Sequence, residues 1–331
     1  MTFSGKTKLH LGAAALTLTF YATDATAQDQ VELIYSDALT ATDIRSKMLV
    51  EDFGNCLGDG FRFQPYFAST LFKQGTDIPS MQRGVLDMAA PPIFDFYNQV
   101  PATSVLGTPF LFRDYEHMRA VYDSDLLDDL LAQIEADAGV KVLEFIYIGT
   151  RELGYVGDRR IMTPEDAKGL KLRMPPGEGW QFMGTAMGAT PTPVPLAETY
   201  TALQTGAIDG QDNGYPIIHS MKFDEILTHI GLTNHMVMAI EFTIGLKKWN
   251  SLTGEQQEKV AGCAENFRKK VEPVVLRQEA DLADQMSEKG IDIYEPNLDA
   301  FRDRILETYG NSKYSADWPE GLVEKIVSYG N

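Results

Sequence analysis

Arg173 is the residue of this chain best placed for chemistry. The alternation from Leu170 to Met174 reads as a strand with Leu170, Leu172 and Met174 on one face and Lys171 and Arg173 on the other, and the turn Pro175-Pro176-Gly177 follows at once. That places Arg173 at the carboxyl end of a strand, the edge at which open α/β sheets bind ligands. A guanidinium offers a planar fork of donors that matches both oxygens of a carboxylate, and such charge-assisted bonds are strong. Asp209-Gly210-Gln211-Asp212-Asn213-Gly214 is dense in turn-forming polar residues and reads as a binding loop rather than core. Trp180 follows Arg173 by seven residues, where an indole could stack on an apolar or ring-shaped ligand, although its spacing with Met183 and Met187 equally fits a core stripe. Phe94, Phe96 and Tyr97 follow Ala89-Ala90-Pro91-Pro92, where a strand-edge ligand would lie, and Tyr215 stands two residues after Asn213. Trp180 and Phe94 together lean the reading toward an aromatic or partly apolar monocarboxylate, with a uronate or a keto or hydroxy acid as the alternative.

Catalytic constellations are missing from the sequence. It contains no G-x-S-x-G, no phosphate-binding loop, no G-x-G-x-x-G after a strand and no H-E-x-x-H, and His10, His117, His219, His229 and His235 share no ligand spacing. The reading is therefore a binding protein and not an enzyme, with no metal and no cofactor.

The elements that must position these residues alternate as in an α/β protein. Strands are expected at 31–35, 61–67, 86–90, 170–174 and, unusually long, 235–246. Helices are expected at 43–53, with Ile44, Met48 and Phe53 inward, at 78–83, and at 197–205. Thr163-Pro164-Glu165-Asp166 reads as the capped start of a short helix stopped by Gly169, and 190–195 as a Pro-rich connector. Thr253-Gly254-Glu255-Gln256 is a capping box that opens a long helix, kinked at Pro273 and running to about Lys289. Two segments repeat one another: Gln82-Arg83-Gly84-Val85-Leu86-Asp87 and Gln204-Thr205-Gly206-Ala207-Ile208-Asp209. In each, a Gly ends a helix and an apolar pair with an Asp leads into a strand, as two lobes built on one plan would require.

Lys6 and Lys8 precede an uncharged, mostly apolar run from Leu9 to Tyr21, and Ala25-Thr26-Ala27 supplies a cleavage pattern; residues 1–27 read as a secretory leader, too short in its apolar part to span a bilayer. The expected division is 28–150 and 151–236 for the first parts of two lobes, 237–275 for a return to the first lobe with an inter-lobe helix, and 276–331 for a return to the second. The net charge of −18 becomes −19 without Lys6, Lys8 and Asp24. Such a surface repels phosphate backbones and excludes nucleic acid as a partner. It also means that any anion site must focus positive charge locally. Cys56 and Cys263 match no metal or redox spacing; two buried free thiols are read slightly ahead of one disulfide. No exposed apolar face argues for an oligomer, so a soluble monomer is expected.

The runs Lys168-Gly169-Leu170-Lys171-Leu172-Arg173-Met174-Pro175, Ala189-Thr190-Pro191-Thr192-Pro193-Val194 and Glu198 through Asn213, with outlying Pro109-Phe110-Leu111-Phe112 and Trp249-Asn250-Ser251-Leu252, resemble the solute receptors of TRAP (tripartite ATP-independent periplasmic) transporters over nearly the whole chain beyond residue 27. The resemblance implies a two-lobe periplasmic receptor with a cleft between lobes joined by a long strand and a long kinked helix. It would close on a small organic acid and deliver it to TRAP membrane permease subunits. It further implies that Arg173 pairs with the ligand carboxylate, that Asn213 adds a hydrogen bond to it, and that Arg151 is near the first crossing between lobes. Asp212 stands where the family's motif carries Glu. A sensory receptor that presents the acid to a membrane kinase is the competing reading.

Overall fold

The computed structural model describes residues 1–5 and 30–330. The expected leader's apolar run and the cleavage site after Ala27 lie outside the described residues. Strands form at β1 (Val31–Ser36), β2 (Phe61–Tyr66), β3 (Met88–Ala89), β4 (Val140–Tyr155), β5 (Lys171–Met174), β6 (Thr190–Pro193), β7 (Gly210–Asn213), β8 (His229–Gly245) and β9 (Asp292–Tyr294). They make one mixed sheet in the order β2-β1-β3-β8-β4-β7-β5-β6, with β9 paired to β8.

The two ends of this sheet are built alike. β1 is parallel to both β2 and β3, and β3 lies antiparallel to β8. Likewise β5 is parallel to both β6 and β7, and β7 lies antiparallel to β4. The repeated sequence segments occupy matching places. Gly84 (φ 77°) and Gly206 (φ 70°) take the left-handed conformation that ends each helix without a Cβ clash. Asp87 then exchanges two bonds with β1: its Oδ2 accepts from Ile34 N at 2.9 Å and its N–H donates to Ile34 O at 3.1 Å. Asp209 does the same to β5, accepting from Lys171 N at 2.9 Å and donating to Lys171 O at 2.9 Å. An aspartate is needed because its short side chain reaches back to a neighbouring strand's amide while its own backbone continues the chain.

β4 and β8, of 16 and 17 residues, pair with each other along most of their length and carry the chain between the two halves of the sheet. β8 begins at His229, ahead of the expected start at 235, and β4 is a strand that the sequence pattern does not show. Glu144, Gly149, Arg151 and Glu152 break the alternation of β4, and each is accommodated by a distant partner or bulge. Glu144 pairs with Arg268 at 2.7 Å, and Glu152 accepts from Asn234 N at 2.9 Å. Register shifts fall between Val142 and Glu144, between Tyr147 and Gly149 and between Arg151 and Leu153. At the second of these a long helix clamps the strand.

Label the helices that bear on the site α1 (Asp77–Arg83), α2 (Glu178–Ala186), α3 (Tyr215–Ser220) and α4 (Gly254–Glu288). α4 opens with the expected capping box at Thr253 and Gln256 and holds Pro273 inside its 35 residues. Its Glu272 accepts from Tyr147 N at 2.9 Å and its Glu279 from Thr150 N at 2.7 Å. Two buried or half-buried carboxylates on one helix thus satisfy the amides that the β4 irregularity leaves free.

Other expectations are corrected. Thr163–Gly169 is a series of turns tied by Asp166, which accepts from Met162 N and Thr163 N, and not a helix. Thr190–Pro193 of the Pro-rich 190–195 stretch form edge strand β6; a sheet edge is where prolines are tolerated, because no ladder amide is missed there. Cys56 and Cys263 form a disulfide that fastens the short helix Asn55–Leu57 to α4. Because it closes a loop of 207 residues, its loss should cost roughly 2–5 kcal/mol. Unfolding of Cys56→Ser/Cys263→Ser in denaturant should show a lower midpoint than the parent, and adding reductant should move the parent alone.

Candidate ligand-binding cleft

Three strands converge on a cleft in the middle of the sheet. β5 delivers Arg173, β4 delivers Arg151 and β7 delivers Asn213; α2 adds Trp180, and the opposite wall comes from Asp37, Arg45, Gln74, Asp77 and Asp95.

Arg173 is 1% exposed. Its Nε donates to Val194 O at 2.7 Å and one Nη donates to Gln74 Oε1 at 3.3 Å, while Gln74 Oε1 also accepts from Leu196 N at 2.8 Å. It joins none of the ion pairs found among the described residues. Burial and the neighbouring Arg151 charge push its pKa down to about 9, with Asp212 pulling the other way. A buried guanidinium held by neutral oxygens has donors and charge left for an incoming anion.

Arg151 is differently employed. Its Nε donates to Asp212 Oδ1 at 2.8 Å, another guanidinium nitrogen donates to the Asp212 carbonyl, and its plane lies 4.9 Å from the Trp180 ring. Burial alone would raise Asp212, but Arg151 and His235, whose Nε2 is 3.1 Å away, outweigh it and hold it at about 2. Arg151 and its neighbour Glu152 are both buried, whereas Arg159 and Arg160 further along are exposed. Asn213 is buried and donates to Gln211 Oε1 at 2.6 Å. The Asp209–Gly214 loop is corrected in the same way: residues 210–213 are the buried strand β7, their polar side chains bonded to one another and to β4.

Phe94 and Tyr215 are not among the residues that line this cleft. Phe94 stacks on Trp180 at 3.8 Å between ring centroids and 20° between planes. With Phe94 against the indole ring and Arg151 over it, Trp180 has little ring surface left for a ligand. The lean toward an aromatic ligand, which rested on these two rings, is therefore corrected: they bind each other. Tyr215 opens α3 and packs in the core. The expected stripe of Trp180, Met183 and Met187 is buried throughout, so Trp180 belongs both to the core and to the cleft wall.

Arg45 escaped the sequence reading. The inward face of its segment carries Arg45, Ser46 and Leu49 together with the expected Phe53, while Ile44 and Met48 are only half-buried. The signal was Asp43 two residues earlier, which caps the helix and takes the Arg45 Nε and Nη2 at 2.8 and 2.6 Å.

One sheet holding two copies of a parallel strand trio around a central cleft defines a two-lobe α/β binding protein. The family model for DctP, bacterial extracellular solute-binding protein family 7, matches residues 40–315, and the chain belongs to that family. A TRAP periplasmic solute binding protein from Roseobacter denitrificans, solved with bound 3-deoxy-D-manno-oct-2-ulosonic acid (KDO), superposes with a TM-score of 0.88 at 34% identity, over 90% of this chain and 99% of that one. The 2,3-diketo-L-gulonate-binding periplasmic protein YiaO of Escherichia coli is 30% identical over 76% of both chains. The sialic acid-binding periplasmic protein SiaP of Vibrio cholerae is 28% identical over 69% of this chain and 70% of its own.

The cleft's acidic wall has a measurable consequence. Burial, aided by Asp37, raises Asp77 to about 7, and burial, aided by Asp77 and opposed by the Trp180 indole, raises Asp95 to about 8. Between the ordinary carboxyl pKa and these values the folded chain binds more protons than the unfolded one, so both groups make stability fall as pH rises through that window. Melting curves of the ligand-free protein from pH 5 to 9 should decline more steeply for the parent than for Asp95→Asn; equal slopes would mean Asp95 is not buried as an acid.

Proposed function

We propose that this chain is the periplasmic receptor of a TRAP transporter, that it binds a polyhydroxylated monocarboxylic acid of the sugar-acid class, and that it hands this ligand to the membrane permease. The observation that carries the reading is Arg173: a buried cation at a strand's carboxyl end, aimed into the cleft and without a carboxylate of its own. Isolated burial of such a charge is costly, and a ligand carboxylate relieves that cost with a bidentate pair. Asn213 stands on the adjacent strand to add a hydrogen bond, and Arg151, neutralised by Asp212, shapes the pocket and supplies a remaining donor edge.

The relatives support the ligand class, since those named above are described with KDO, 2,3-diketo-L-gulonate and sialic acid. The family's receptor role, together with the absence of a base and nucleophile set in the sequence, supports binding and delivery over catalysis. A periplasmic location follows the relatives, and among the described residues no helix is long and apolar enough to cross a membrane. The division near residues 150 and 236 fits the places where β4 and β8 pass from one strand trio to the other, close to the Arg151–Leu153 register shift. Those two strands and α4 would flex as the lobes close.

The test is a thermal-shift screen of the chain from Gln28 onward against organic acids, with Arg173→Ala alongside. A ligand at a hundred times its dissociation constant stabilises the folded state by about 2.7 kcal/mol, well within resolution. The expected result is a raised midpoint with hydroxylated monocarboxylates for the parent and none for the variant, because truncation should weaken binding by about 2–5 kcal/mol. A hit that stabilises both forms equally would place the carboxylate elsewhere.

A further inference from the structure

The cleft wall facing Arg173 is polar in an unusual way. Arg45 is 4% exposed and lines the cleft; its Nε and Nη2 are taken by Asp43, but its Nη1 is buried without a hydrogen-bond partner. Three carboxyl groups, those of Asp37, Asp77 and Asp95, line the same wall. Asp37 accepts from Tyr35 Oη at 2.6 Å and from Leu39 N at 2.9 Å, which fixes its orientation. Asp77 is at the start of α1, and Asp95 lies in the short turn Ile93–Phe96 under Trp180. The wall therefore holds a donor without a partner, Arg45 Nη1, among several acceptors.

We infer that this wall is a hydroxyl-binding subsite, in which ligand hydroxyls accept from Arg45 Nη1 and bond to the carboxyls of Asp37, Asp77 and Asp95, and which rejects a second ligand carboxylate. The inference rests on the reading that Arg173 takes the first carboxylate. A hydroxyl is the group that fits, because it both accepts and donates. An ammonium would suit the carboxyls but offer Arg45 Nη1 no acceptor. A second carboxylate would suit Arg45 yet face three acids. A metal ion is not favoured either: among the described residues no group of three or more His, Cys, Asp or Glu is placed to hold one. Asp37, Asp77 and Asp95 would thus determine specificity at the end of the ligand remote from Arg173. A site built to bond hydroxyls rejects analogues lacking them far more strongly than an apolar pocket rejects a missing methylene.

Titration calorimetry at neutral pH would use KDO, L-galactonate and D-glucuronate as hydroxylated probes, hexanoate as a monocarboxylate without hydroxyls, succinate as a dicarboxylate and glycine as a zwitterion. The parent should bind at least one hydroxylated probe on the order of a hundredfold or more tighter than hexanoate, succinate or glycine. Asp77→Ala and Asp95→Ala should lower that preference by roughly tenfold or more, with succinate gaining relative to the hydroxylated probe. A merely structural role would weaken all probes alike, and each variant's melting midpoint reports whether it folds. Arg173-dependent binding of hexanoate or succinate as tight as that of every hydroxylated probe would overturn the subsite while leaving the carboxylate reading intact. Tightest binding of glycine would replace hydroxyls with an ammonium. Binding of none of the acids would overturn the carboxylate reading and the subsite with it.

Discussion

A guanidinium kept inside a protein of net charge −18, with no carboxylate against it, is the constraint around which the cleft is organised. Removing such a charge from water costs on the order of several kcal/mol unless partners replace the hydration. Arg173 receives only neutral partners from the chain: the Val194 carbonyl and the Gln74 amide oxygen. The acid whose charge acts on it, Asp212, is committed to Arg151 and lies 3.1 Å from His235 Nε2. Arg151 and Asp212 therefore do more than pack. By pairing with each other they leave one positive charge uncompensated at the point where an anion can reach it.

Holding that arrangement requires the two halves of the sheet to be fixed with respect to each other at β4 and β8. Glu272 and Glu279 on α4 bond the β4 amides just before Arg151, and the irregular pairing there lets the strand turn its arginine inward. Gln74 adds a second tie: it comes from the opposite wall, yet bonds both Arg173 and the Leu196 amide. A side chain that bridges the cleft in this way links the position of the anion site to the separation of the walls.

The opposite wall obeys a different electrostatic rule. Its carboxyls are pushed upward by burial and by one another, so near neutral pH Asp77 and Asp95 sit close to the boundary between acid and carboxylate. Groups in that state are weak attractors of cations but good hydrogen-bond partners in either role. The cleft is thus positive where β5 ends and lined with hydrogen-bonding carboxyls across from it, a contrast that a ligand with one charged and one hydroxylated end would match.

The sequence by itself determined the parts that depend on local pattern and short spacing. The alternation around Arg173 and the Pro turn behind it placed a cation at a strand end, the capping box at Thr253 opened α4, and the repeated Gly-apolar-Asp segments announced two halves on one plan. These were legible because propensity, period 2 and glycine's left-handed conformation act within a few residues. Only the tertiary structure decided that residues 210–213 are a buried strand, that β4 exists, that Phe94 stacks on Trp180, that Cys56 meets Cys263 and that Arg45 faces the cleft. Each of these depends on a partner far away in the chain. A polar run looks like a loop until Arg151 arrives to pair with Asp212 inside it, and a lone arginine beside an apolar helix face looks exposed until its neighbours enclose it. Charge burial is set by what surrounds a residue in space, and that is not written in its immediate sequence.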